Sequence, residues 1–151
     1  MAHMEMNGTT ETTTLVPAWR DLLVRESDEI DHAGVQAAVL SVRLVGTDPA
    51  ELIDDARRAE SLLVRRLKPT DRLAVTSQKS FSLLLSPTVE LTETIKYVRS
   101  LAQALSDHRI PSITSFAHRR PDEALIDTWA RSEAELDRCL YRHLHANGIS
   151  V

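Results

Sequence analysis

Lys68-Pro69-Thr70-Asp71-Arg72-Leu73-Ala74-Val75-Thr76-Ser77-Gln78-Lys79-Ser80-Phe81-Ser82-Leu83-Leu84-Leu85-Ser86 is the stretch around which the rest of the chain is arranged. Its apolar runs, Arg72–Thr76 and Phe81–Ser86, predict two short strands closing over the polar turn Ser77-Gln78-Lys79-Ser80. Apolar residues on both sides of the turn suit a hairpin in a sheet covered by helices.

Outward from the hairpin, helices and strands alternate. Before it, Asp48-Pro49-Ala50-Glu51 predicts a helix start, with Asp48 as cap, Pro49 at the first helical position and Glu51 reaching back. Leu52, Ala56, Ala59, Leu63 and Leu67 then form an amphipathic stripe. Further upstream, residues 36–45 predict a strand, with Ser41 and Arg43 as its polar breaks, and Trp19, Leu22, Leu23 and Ile30 share one face of a helix over 17–31. After the hairpin, Leu91, Ile95, Val98, Ala102 and Leu105 make a second stripe, and 110–117 predicts a strand. Pro121-Asp122-Glu123 opens a last helix, with Leu125, Trp129, Leu136, Leu140 and Leu144 inward and Asn147-Gly148 as its stop. Ile149–Val151 could begin an edge strand. Two strand–helix–strand units flanking a hairpin predict a split βαβ, ferredoxin-like α/β (α+β) sandwich with a mostly antiparallel sheet.

A chain of 151 residues is large enough to bury a core as one domain, placed here over 15–151. Met1-Ala2-His3-Met4 reads as a cloning remnant and 5–14 as a disordered lead-in. Basic and acidic residues, 18 and 22, are mixed and give a net charge of −4, with no general attraction to nucleic acid or anionic membrane. No apolar run approaches the roughly 20 residues of a membrane span. A lone Cys139 makes no intramolecular disulfide, so a reducing cytoplasm is the expected compartment.

The hairpin resembles the signature hairpin of GGDEF domains, the bacterial diguanylate cyclase family. That family has an Asp, five residues, a Gly-Gly-Asp/Glu-Glu-Phe turn and an apolar strand. This chain has Asp71, five residues, Ser77-Gln78-Lys79-Ser80-Phe81 and Leu83-Leu84-Leu85. Leu15 to Leu23, Ser112–Ala117 and Leu140-Tyr141-Arg142 resemble the family's entry motif, a Ser-Ile-Gly-Ile-Ala strand and the Leu-Tyr-x-Ala-Lys segment of the last helix. The resemblance covers about residues 15–148 and implies the GGDEF-like sandwich and a role in signalling.

The departures fall on functional positions. Cyclases of the family hold two divalent metal ions with an Asp of the first strand and an acid of the turn. Those positions resemble Ser41 and Arg43, and Lys79, here. Ser77 and Gln78 stand where the family has glycines that let backbone approach the nucleotide. The segment carrying phosphate- and base-recognising residues is shortened to Gly46-Thr47-Asp48. The expectation is therefore a degenerate, catalytically inactive domain, not an enzyme, with no metal and no cofactor. It would act as a regulatory or protein-interaction module, with dimerisation as one form of that interaction.

The alternative is a non-catalytic receptor for cyclic di-GMP or GTP. Lys68-Pro-Thr-Asp71, with neighbouring Arg72, is similar to the family's Arg-x-x-Asp inhibition site, although Lys offers a point charge where Arg offers a planar fork. A Pro-Thr-Asp turn entering a strand needs no ligand, and the structural account of Asp71 is preferred. His118-Arg119-Arg120, before a helix start, is a possible phosphate contact. One short basic cluster is more simply a solvated loop. His143 and His145, two apart on a helix, point away from each other. Trp19 and Trp129 are expected in the core.

Overall fold

The computed structural model describes residues 3–4 and 12–146. In chain order the elements are β1 (His3–Met4), α1 (Thr12–Ala33), β2 (Gln36–Leu44), α2 (Pro49–Arg66), β3 (Arg72–Ser77), β4 (Ser80–Thr88), α3 (Leu91–Asp107), β5 (Ser112–His118) and α4 (Leu125–Ala146). One sheet runs β1-β3-β4-β2-β5. Its four long strands are antiparallel, and β1 adds a short parallel pair, His3 with Leu73 and Met4 with Ala74. The predicted mixed sandwich is present.

Each face of the sheet has its own apolar layer because side chains alternate along a strand. Leu40, Val42 and Leu44 of β2 join Leu73, Phe81, Leu83 and Leu85 under α2 and α3, against Ala59, Leu62, Leu63, Val98, Leu101 and Leu105. On the other face Ala37, Val39, Ala74 and Leu84 meet Trp19, Leu22 and Leu23 of α1 and Leu125 and Trp129 of α4. The two indoles pack edge to face, with centroids 6.4 Å apart.

The helix start at Asp48 is as predicted: its carboxylate accepts from the Ala50 amide at 2.9 Å, and Pro49 opens α2. Other boundaries differ. Helix α1 begins at Thr12, inside the stretch taken as lead-in, and His3–Met4, set aside as a remnant, pairs with β3. Helix α4 starts at Leu125, not at Pro121, because Asp122 adopts φ 61°, outside the helical region. Leu140 and Leu144, expected inward, are half-buried. The expected stop at Asn147-Gly148, the edge strand at 149–151 and residues 5–11 of the lead-in lie outside the described residues.

Candidate functional site

The hairpin turn is held from both sides. Ser77 Oγ accepts from the Lys79 amide at 3.2 Å, and the Lys79 carbonyl accepts from the Leu44 amide at 2.8 Å. A register shift between Val75 and Ser77 makes Thr76 the extra residue of the ladder. Gln78 and Lys79 are exposed, whereas Ser80 and Phe81 are buried.

Beneath α4 the sheet presents hydroxyls. Ser41 Oγ lies 2.8 Å from Ser132 Oγ, Ser115 Oγ donates to the Ser132 carbonyl at 2.6 Å, and Trp129 Nε1 donates to Ser82 Oγ at 2.9 Å. These small side chains let the helix lie close to the strands. Glu133, one residue on, is pushed above the ordinary glutamate range by burial. The Ser41 hydroxyl and the Arg43 charge oppose that shift, and Asp137 adds to it. Arg43 Nε is buried without a hydrogen-bond partner. This group does not fit a divalent cation: the Ser41 hydroxyl is engaged by Ser132 and a guanidinium stands beside the carboxylate. Among the described residues no three His, Cys, Asp or Glu side chains gather as a metal site.

At the opposite end of β3, Asp71 is completely buried. One of its oxygens accepts from the Lys68 amide at 3.1 Å and from Tyr97 Oη at 2.8 Å; the other accepts from the Ser86 amide at 3.1 Å. Burial, and then the bond to Asp71, push the Tyr97 phenol well above its usual value. Lys68 Nζ sits 4.9 Å over the Tyr97 ring, a cation–π contact. Arg72 Nε faces Glu26 Oε1 at 3.3 Å. Lys68 and Asp71 therefore come together around Tyr97, while Arg72 turns to α1.

The His118–Arg120 loop is filled by a carboxylate of its own chain. Glu123 Oε1 accepts from the Arg120 amide at 3.1 Å, from Thr128 Oγ1 at 2.8 Å and from Arg131 at 2.7 Å, and its Oε2 accepts from Arg131 Nε at 2.8 Å. Led by the Arg131 bond, these contacts hold Glu123 down at about 2 from the ordinary 4.5. Arg119 pairs with Asp31 at 2.7 Å and donates to the Glu123 carbonyl at 2.6 Å. His118 Nε2 lies 3.3 Å from Thr88 Oγ1. Within the loop, Arg119 is paired with Asp31 and the Arg120 amide is capped by Glu123, while the Arg120 side chain is exposed.

Sequence reasoning missed Tyr97, Glu123, Arg131, Ser132 and Glu133. Tyr97 meets Asp71 26 positions away and Ser132 meets Ser41 91 positions away, pairings that spacing within one segment does not reveal. Glu123 and Arg131, only 8 apart, read in the sequence as a helix start and a helix surface. Sequence reasoning also missed an open cleft of about 510 Å³ between α2 and the loop before β5, lined by Gly46, Glu51, Asp54, Asp55, Arg58 and Arg109.

No family model matches the sequence, and no curated protein does. Solved structures share the fold. The GGDEF domain of DgcB from Caulobacter crescentus, in complex with c-di-GMP, aligns with a TM-score of 0.69 at 18% identity, over 97% of this chain and 95% of that one. The active GGEEF domain of a diguanylate cyclase from Vibrio cholerae aligns with a TM-score of 0.67 at 12% identity, over 82% and 88%. A DGC protein from Thermotoga maritima aligns with a TM-score of 0.61 at 14% identity, over 81% and 91%. The chain has a GGDEF-like fold, the domain fold of these signalling proteins. The expectation that it is not an enzyme is corrected here, because the fold it shares is that of diguanylate cyclases, one of them described as active. Replacement of signature residues in a sequence does not establish loss of catalysis. No described helix is long and apolar enough to cross a membrane.

Proposed function

We propose that this chain is a regulatory signalling domain on the GGDEF-like fold, working through self-association or contact with another protein. The observation that carries the reading is that several groups singled out for a ligand are already engaged within the chain. Asp71 is buried and bonded to three donors, and the basic loop at 118–120 is filled by Glu123. Recognition by surface is what those sites leave. The reading concerns how the domain signals and stands whether or not it turns over GTP. Its place is a reducing cytoplasm, which suits a lone Cys139 that is only half-buried. Solution mass and pulldown test it. A concentration-dependent dimer, or a specific partner lost on surface substitution, is expected; a strict monomer that retains no partner overturns it.

A second reading, a receptor for cyclic di-GMP or GTP, is favoured by the DgcB domain being solved with c-di-GMP and by Lys68 standing exposed beside the Asp71 turn. Calorimetric titration decides it. Saturable binding abolished by Lys68→Ala and Arg72→Ala supports the receptor, and silence with cyclic di-GMP and with GTP plus Mg²⁺ removes it. Product analysis of the GTP sample reports turnover in the same experiment.

A further inference from the structure

The sheet has two edges, and they are treated differently. On one side β3 begins with Arg72 and is covered in part by β1. On the other, β5 pairs only with β2, and among the described residues no strand lies beyond it. Ser112-Ile113-Thr114-Ser115-Phe116-Ala117-His118 carries no acidic residue, lysine, arginine or proline, and its register with β2 runs without a shift over all seven residues. Chains blunt such edges with charges, prolines or bulges because an unprotected one templates another strand.

The hydrogen-bond phase shows which groups are free. The Arg119 amide donates to the Ala37 carbonyl at 2.9 Å and the Val45 amide to the Pro111 carbonyl at 3.0 Å. Bonded pairs recur every second residue in an antiparallel ladder, so Ile113, Ser115 and Ala117 bond to β2. Ser112, Thr114, Phe116 and His118 therefore aim their amides and carbonyls outward. Arg131 already occupies the His118 carbonyl at 2.7 Å. The free centre is Thr114 to Phe116.

We propose that this edge binds the same edge of a second copy of the chain, antiparallel about a two-fold axis at Ser115. This rests on the reading of the domain as one that acts by self-association. The argument for a second copy is self-complementarity. Pairing about Ser115 sets Thr114 opposite Phe116 of the other copy, and Phe116 opposite its Thr114, which gives four backbone bonds. Each of those two pairs joins an aromatic and a β-branched side chain, a favourable cross-strand combination. On the other face Ile113 meets Ala117. Every contact off the axis occurs twice, with Ser115 meeting its own copy on it, as an isologous interface requires, and no charge of the strand is left opposite an apolar group.

Thr114→Pro tests this directly, since it removes an outward amide that β2 does not use and proline is tolerated at such edge positions. Symmetry removes the bond twice, so self-association weakens about thirtyfold, equivalent to about 2 kcal/mol, with circular dichroism unchanged and melting unchanged at dilutions where the parent is monomeric. Thr114→Lys, which places a charge at the edge while keeping the amide, guards against misfolding of the proline variant and is expected to weaken the dimer as well. Sedimentation across a dilution series gives the mass, and amide exchange gives the surface. The inference is supported by a dimer whose Thr114 and Phe116 amides are slow, with the Phe116 amide becoming fast in both variants and the residue 114 amide becoming fast in Thr114→Lys. A dimer unaffected by either substitution overturns it while leaving the self-association reading intact. A monomer overturns it, whether those amides exchange fast or are protected by another segment of the chain.

Discussion

Replacing Glu123 by glutamine isolates the charge that closes the loop before α4. The carboxylate binds Arg131 through both oxygens, at 2.7 and 2.8 Å, and also accepts from Arg120 and Thr128. Its fall from 4.5 to about 2 corresponds to about 3 kcal/mol of preference for the charged form in the folded state. Arg131 is 31% exposed, so solvent screening reduces the stability at stake to about 2 kcal/mol. A folded value below the unfolded one means that this stability is fully present above 4.5 and is lost as pH falls towards about 2. Glu123→Gln should therefore be less stable than the parent by about 2 kcal/mol at neutral pH, with the difference closing as pH falls through that window. Paired urea titrations at several pH values measure it, because subtraction removes the other carboxylates common to both proteins. A difference that does not change with pH, or one below about 0.5 kcal/mol at neutrality, would refute the assignment of Glu123 as the closing charge.

Three further outcomes are expected. Asp71→Ala strands two amides and a phenol and should cost about 3 kcal/mol in urea unfolding; a loss under about 1 kcal/mol would show that water replaces the carboxylate. Tyr97, its phenol raised by burial and by Asp71, should stay protonated in an alkaline absorbance titration past the ordinary tyrosine range, and its contribution to stability is fully present below the ordinary value of 10.0 and is lost as pH rises from there towards the folded one. Glu133 is raised by burial, so its charge opposes folding above that value; Glu133→Gln should raise the melting temperature at neutral pH, and the gain should shrink in acid.

The fold was legible where local rules and tertiary packing agree. Asp48-Pro49 caps α2 as written, and the hairpin closes over Ser77–Ser80 because apolar alternation on both arms permits one register. The start of α4 was misplaced because Pro121-Asp122-Glu123 carries a start signal, while the left-handed Asp122 and the Arg131 bond to Glu123 make those residues a turn before the helix. The candidate site was legible only as a set of local spacings. Lys68 and Asp71 do meet, but through Tyr97 of α3, and His118-Arg119-Arg120 reads as a free basic cluster until the turn before α4 folds Glu123 back onto it and α4 brings Arg131 beside it. Such pairings depend on strand order, which a one-dimensional pattern does not encode. Loss of catalysis was the reading that failed, because it was argued from replaced and shortened signature segments while the fold is shared with cyclases.

Trp19 and Trp129 are the two tryptophans of the chain, and they touch each other across the joint between α1 and α4. Indole emission from this protein therefore comes from a single place. A shift of the first helix against the sheet would change the separation and hydration of this pair, since Trp19 rides on that helix while Trp129 is tied to the sheet through Ser82. The protein thus carries its own optical gauge of how firmly that helix is seated, readable without a label, and one that should register docking of a partner at the helix as a shift in colour or intensity.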